Sequence, residues 1–245
     1  MNHKPVHKLS LAQLTGMTES HLVAMPCGNA MQQQAADAFA RLQADAREAG
    51  YQLAIASGFR SFARQAVIWN GKVRGVRPVH DDAGAAIDIG QLSSHQLLHA
   101  ILRFSALPGT SRHHWGSDVD VYDVAAVDAG YAVQLTPQEV APGGCFDGFH
   151  CWLDERMAAD ESHGFFRPYA RDTGGVAVER WHLSYAPISV SCAGQLSAAV
   201  IKQCWDDSED EIMLRNELQA GLPEIMQRYL AVEESWCPEK YREAT

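Results

Sequence analysis

With 245 residues, 47% of them hydrophobic, the chain carries enough apolar material for one large domain, or for one domain with a helical appendage. A formal charge of −10 and a pI near 5.5 leave no basic field to gather phosphates, which argues against nucleic acid as a partner. The six cysteines are scattered without a Cys-x-x-Cys pair, and Met1-Asn2-His3-Lys4-Pro5-Val6-His7 lacks the apolar core of a secretory signal. Free thiols, a cytoplasmic location and no membrane insertion are therefore expected.

Between Lys8 and Ala30 the apolar positions Leu11, Leu14 and Met17 fit one face of a short helix capped by Ser10, and Met25 to Asn29 reads as loop. From Met31 to Gly50 the three- and four-residue steps of Ala35, Phe39, Leu42 and Ala46 predict a helix, with Gly50 as its stop. Tyr51 to Ala56 reads as a strand ended by Ser57-Gly58. Phe62 to Trp69 turns helical and Asn70-Gly71-Lys72 is expected to close it. The charged, glycine-bearing stretch that follows as far as Asp88 reads as a surface flap or insertion.

Leu97, Leu98, Ile101 and Leu102 place a helix over Ser94 to Ser105, stopped by Leu107-Pro108-Gly109. Pro137 to Gly144 is expected to be loop, and Phe149 to Asp160 helix. Phe165 to Tyr169 and Val176 to Ser184 are β-prone, with hairpin character at Asp172-Thr173-Gly174-Gly175 between them. Beyond Gln195 the pattern is helical, notably over Glu209 to Leu218 and Pro223 to Val232. It reads as a cover with little chemistry.

The chemistry concentrates in Ser111-Arg112-His113-His114-Trp115-Gly116-Ser117-Asp118-Val119-Asp120, where imidazoles and carboxylates flank a glycine turn. On a strand, Asp118, Asp120 and Tyr122 share one face while Val119 and Val121 enter the core. Spacing leaves both the histidine pair and the aspartate pair open. A catalytic zinc site wants a third protein ligand and an open position for water, and Glu179-Arg180-Trp181-His182 supplies both an imidazole and a carboxylate. Zinc lowers the pKa of bound water to about 7, and a carboxylate such as Glu179 serves as its base. His80, His95, His99, His150 and His163 stand outside any motif and read as ordinary surface or core histidines. Neither a Gly-x-Ser-x-Gly elbow nor a glycine-rich phosphate loop is present.

Ser111-x-His113-x-x-Gly116-x-x-x-Asp120, with Glu179-x-Trp181-His182 downstream and Ser57-Gly58-Phe59-Arg60-Ser61 and Gln65 upstream, resembles the VanY-type D-alanyl-D-alanine carboxypeptidases, zinc peptidases of peptidoglycan. The likeness runs from about Tyr51 to Tyr185. It implies an α+β fold, with a small, mainly antiparallel sheet carrying the site and helices around it. It also implies His113, Asp120 and His182 as ligands of one Zn2+ and Glu179 as general base. Arg60, with Gln65, Ser111 and Ser57, would hold the substrate's terminal carboxylate or oxyanion. A guanidinium suits that role because it offers paired donors to a carboxylate. Two positions depart from the family pattern: Asp118 replaces a small residue and Phe59 a common tyrosine.

On this reading residues 1–30 form an extension, 31–190 the carboxypeptidase domain and 191–245 a helical cover. The expected substrates are peptidoglycan-derived peptides or muropeptides. L,D-carboxypeptidase action on tetrapeptides in cell-wall recycling comes first and D,D-carboxypeptidase action on pentapeptides second. A phage-type endopeptidase and a zinc-bearing binding module without catalysis are the further alternatives.

Overall fold

The computed structural model describes residues 8–242. Met1 to His7, on which the signal-sequence reading rests, lie outside the described residues. In chain order the regular elements are α1 (Leu11–Leu14), β1 (Val23–Ala24), β2 (Ala30–Met31), α2 (Gln33–Glu48), β3 (Leu53–Ser57), α3 (Phe62–Val73) and α4 (Ser94–Leu102). Then come β4 (Asp118–Asp123), α5 (Pro137–Val140), α6 (Asp147–Ala158), β5 (Phe165–Phe166), β6 (His182–Tyr185), α7 (Ala186–Gln195), α8 (Ala198–Asp207) and α9 (Arg215–Ile225). Helices surrounding a small antiparallel sheet make an α+β fold, as the motifs implied.

The central sheet has the order β3-β4-β6-β5, and every pair in it is antiparallel. Its two faces follow from alternation along the strands. Leu53, Val119, Val121, Leu183 and Tyr185 join a core with Ala35, Phe39, Leu42 and Ala46 of α2 and with Phe149 and Leu153 of α6. Full burial of side chains such as Phe39 and Leu42 stabilises by about 1.5–3 kcal/mol each. A second core joins α3, α4, α8 and α9 through Trp69, Ile101, Leu102, Trp205 and Leu222. The C-terminal helices thus carry a large share of the packing.

Asn70-Gly71-Lys72 forms the last turn of α3, which ends one residue later at Val73, and the Asn70 side chain donates to Glu211 O at 2.7 Å and accepts from Met213 N at 3.0 Å. Its amide thus ties the end of α3 to a distant segment. Several local expectations are corrected. The Asp172 to Gly175 segment is not a hairpin. Arg103 ties it down through Asp172 and Gly175 O, and β6 begins only at His182. Pro137–Val140 forms one helical turn rather than loop, with Glu139 accepting from Thr136 N in a capping box. Near the C-terminus a single helix, α9, replaces the expected pair; Pro223 lies inside it and a π turn over Met226–Leu230 follows directly.

The Ser10 cap is present as expected, and α1, Gly16 and Leu22 pack against the Arg112–Gly116 turn. Phe62 N donates to Gly16 O at 2.8 Å, and Gly16 (φ +75°) leaves room for His114 where any Cβ would collide with it. Met25 to Asn29 forms the turn between β1 and β2.

Candidate active site

The strand register brings the distant motifs together. Asp120 on β4 pairs with His182 on β6 and, across a bulge, with Ser57 on β3. Cross-strand partners present their side chains on one face, so Ser57, Asp120 and His182 form a row opposite the apolar core. Trp181 O accepts from Val121 N at 3.0 Å, which extends this ladder by one residue. Just before β6 a turn folds back, with His182 N donating to Glu179 O at 3.1 Å. That turn sets the Glu179 carboxylate 3.3 Å from His182 Nδ1.

The tight turn Arg112–Trp115, closed by Gly116 in the left-handed region (φ +66°), delivers the remaining imidazole. A Cβ at Gly116 would run into Leu22, so the close packing and the backbone both require glycine there. His113 Nε2 lies 3.4 Å from Asp120 Oδ2, and His182 Nδ1 lies 3.3 Å from Asp120 Oδ1. One donor atom from each of the three residues lies within 4.8 Å of the others. Bonds of 2.0–2.2 Å to a tetrahedral ion set donor–donor edges of about 3.3–3.6 Å, so the cluster is already close to a ligand shell. Asp120 Oδ1 is buried and, despite the nearby imidazole, accepts no hydrogen bond. An orphaned anionic oxygen between two imidazoles fits a cation.

The structure separates the two doubled positions. His114 faces away from the cluster: Nδ1 donates to Arg60 O at 2.6 Å and Nε2 accepts from Gly109 N at 3.1 Å. Burial pushes its pKa down to about 3, so it stays neutral and acts as a backbone clamp. Asp118 shares the polar face with Asp120 but accepts from Arg112 Nε at 2.8 Å and Ser117 Oγ at 2.6 Å. Its Oδ1 also lies 3.2 Å from His182 Nε2, which fixes that ring with Nδ1 turned toward Asp120 and Glu179. Burial alone would raise the Asp118 pKa. Arg112, His182 and Ser117 outweigh it and hold the carboxyl well below its usual range.

For His182, burial opposes protonation, but Asp118, Asp120 and Glu179 overcome it and lift the imidazole well above its ordinary value. Asp120 is likewise penalised by burial and held ionised by His113 and His182. Asp118, Asp120 and Glu179 thus bring three carboxylates around the buried His182 ring.

A cavity of about 930 Å3 opens onto this cluster and is lined by Arg60, Ser111, His113, Asp120, Glu179 and His182. Arg60 is placed by its neighbours: its N donates to His113 O, and its guanidinium donates to Gln65 Oε1 at 2.9 Å and Ser57 Oγ at 3.1 Å. Burial lowers its pKa, while Asp120 and Glu179 pull the other way. Ser57 and Gln65, expected among the substrate contacts, do not line the cavity. Their polar atoms are spent on Arg60, and Gln65 also donates to Ala106 O. Met226, Tyr229, Leu230 and Val232 form part of the wall, so the C-terminal segment shapes the cavity rather than merely covering the fold.

Sequence reasoning missed Arg112 and Tyr169. Arg112 is buried, with its guanidinium over Trp115 at 4.7 Å and donating to Ser184 Oγ at 2.6 Å. Its only signal was a second charge of opposite sign six residues along, at Asp118. The Tyr169 ring lies 5.1 Å from that of His182, and burial raises its hydroxyl pKa to about 12. Nothing in its local pattern marked it.

Among known proteins, an uncharacterized protein of Haemophilus influenzae is 48% identical over 104 residues, covering 41% of this chain and 71% of that protein. The vancomycin-resistance D,D-pentapeptidase VanY of the VanB-type cassette, solved as a mutant with Zn(II), is 26% identical with a TM-score of 0.46, covering 69% of this chain and 80% of that one. VanYB in complex with D-alanine-D-alanine is 22% identical with a TM-score of 0.49, covering 78% and 91% respectively. The family model VanY, D-alanyl-D-alanine carboxypeptidase, matches residues 28–188, a span that holds every residue of the cluster described above. The chain therefore belongs to the VanY D-alanyl-D-alanine carboxypeptidase family of peptide-bond hydrolases.

Proposed function

We propose that this chain is a zinc carboxypeptidase that removes a terminal D-alanine from peptidoglycan-derived stem peptides, acting on the L,D bond of tetrapeptides during cell-wall recycling. The observation that carries the catalytic reading is the convergence of His113, Asp120, His182 and Glu179 at one cavity beside Arg60. His113, Asp120 and His182 would hold the zinc, a donor set of imidazole and carboxylate that suits this ion. When bound, zinc supplies Lewis-acid polarisation of the scissile carbonyl and activates water at neutral pH.

The chain's own groups do the rest. Arg60, held by Ser57 and Gln65, pairs with the substrate's terminal carboxylate and so selects the last peptide bond. Glu179 accepts the proton of the attacking water and returns it to the departing amine nitrogen. Ser111, on the cavity wall, is the nearby hydroxyl donor proposed to assist at the oxyanion or carboxylate. In this scheme residues 31–190 are the catalytic domain and 191–245 its cover, a division supported by the family match over 28–188.

The preference for tetrapeptides follows from compartment. All six cysteines are free, and Cys192, Cys204 and Cys237 are buried, which suits a reducing cytoplasm where turnover fragments would be the available substrates. D,D-carboxypeptidase activity on pentapeptides is the second reading, favoured by the family's own description. Purified, zinc-loaded protein incubated with defined tetra- and pentapeptide muropeptides decides between them. D-alanine released from the tetrapeptide is expected; selective release from the pentapeptide reverses the order, and cleavage within the stem points to an endopeptidase.

A further inference from the structure

Away from the catalytic cavity, two histidines that belong to no motif meet a glutamate more than a hundred residues later. His95 and His99 stand one helical turn apart on α4, and their Nε2 atoms are 3.2 Å apart. Glu224 on α9 brings Oε1 to 4.0 Å from His99 Nε2. One donor from each lies within 4.8 Å of the others, the only such cluster among the described residues besides His113, Asp120 and His182. We propose that His95, His99 and Glu224 form a second site for a divalent transition-metal ion, Zn2+ foremost, which staples α4 to α9.

Three observations carry this. The 3.2 Å separation of the two imidazole nitrogens matches the edge of a tetrahedron built on zinc–nitrogen bonds, about 3.3 Å. The His99 ring is already held as a ligand would be, because its Nδ1 lies 2.8 Å from the hydroxyl of the buried Tyr229; with the proton on Nδ1 donated there, Nε2 is the atom that faces His95 and Glu224. The Glu224 side chain is 58% exposed and free to close the remaining gap. Its present neighbour, Arg228 at 3.8 Å, is an exposed ion pair that a metal would replace at little loss.

Two imidazoles and one carboxylate select zinc, copper, nickel or cobalt over magnesium and calcium, which prefer all-oxygen shells. A fourth position is left to water. The location matters because α9 runs straight into the π turn Met226–Leu230, whose Met226, Tyr229 and Leu230 line the catalytic cavity. A staple at Glu224 and at the Tyr229-bound His99 would stiffen that wall.

The test is zinc chloride titrated against a competing chromophoric chelator, using chelator-stripped full-length protein. Wild type is expected to bind two equivalents. The catalytic-site variant His113→Ala/Asp120→Ala should keep one. His95→Ala, whose side chain is exposed and packs no core, should lose the other by more than about 100-fold, beyond the range that loss of an outer-shell partner spans. With Co2+ in the His113→Ala/Asp120→Ala protein, proton NMR should show paramagnetically shifted His95 and His99 ring signals, and Glu224→Gln should abolish the shifts. Saturation of wild type at one equivalent, or two equivalents retained by His95→Ala, would overturn the proposal. Because zinc binding is read directly by chelator competition, the outcome stands or falls independently of peptide turnover and of the carboxypeptidase reading.

Discussion

Replacing Asp118 with alanine tests the electrostatic frame behind the metal ligands. Asp118 is fully buried and, among the described residues, is the one carboxylate hydrogen-bonded to Arg112, whose side chain is only 6% exposed. That guanidinium also touches the Ser184 hydroxyl and the face of Trp115, neither of which carries charge. Asp118→Ala therefore strands a buried cation, a lesion that costs about 3–5 kcal/mol. In a domain of this length each kcal/mol moves the melting temperature by about 2–4 °C, so a drop of about 6–20 °C is expected. Calorimetry in the presence of chelator is the suitable assay, since ligand linkage would otherwise blur the comparison. Arg112→Met/Asp118→Ala should recover much of the loss, because removing both charges leaves none unpaired. Zinc affinity should also fall about 10–100-fold in Asp118→Asn, where His182 Nε2 loses its charged acceptor. A melting temperature for Asp118→Ala within about 2 °C of wild type would refute the counter-ion assignment.

Three further outcomes are expected. Glu179→Ala should lower kcat by about 100- to 10,000-fold while zinc content, measured by atomic absorption, stays at the wild-type value; unchanged turnover would remove the base. Arg60→Ala should cut kcat/KM for free-acid peptides by about 10- to 150-fold, the value of one charge-assisted contact, yet spare C-terminally amidated analogues. Equal losses on both substrates would place Arg60 elsewhere in the mechanism. His150, buried beside Arg167, has its pKa lowered to about 2, first by burial and then by Arg167 and Arg180. Its folded-state pKa lies below the ordinary 6.5, so its contribution to stability is complete above pH 6.5 and is lost as pH falls toward 2. Urea unfolding at pH 7 and pH 5 should show a wild-type loss about 2 kcal/mol larger than that of His150→Phe, and identical losses would contradict the burial argument.

The sequence by itself determined what depends on neighbours along the chain. The spacing of Ala35, Phe39, Leu42 and Ala46 dictates α2, Ser10 caps α1, and the alternation in Asp118 to Tyr122 sets Val119 and Val121 against the core with the aspartates opposite. Donor chemistry was legible too, because imidazole, carboxylate and guanidinium are properties of residue type. Tertiary structure alone decided between equivalent neighbours. His114 is set apart from His113 by the bonds of its ring to Gly109 N and Arg60 O, and Asp118 from Asp120 by Arg112 and Ser117. Asn70 marks the last turn of α3 as expected, but nothing local showed that its amide ties to a segment some 140 residues away. His95 and His99 read as ordinary surface histidines until α9 set Glu224 beside them. In each case the deciding partner is set by the tertiary fold rather than by the local pattern. Local propensity carries no trace of the Asn70 and Glu224 contacts, since they form only when long-range packing offsets the entropy of closing the intervening loop; those of His114 with Gly109 and of Asp118 with Arg112 span only five and six residues and are set by how the Arg112–Trp115 turn folds.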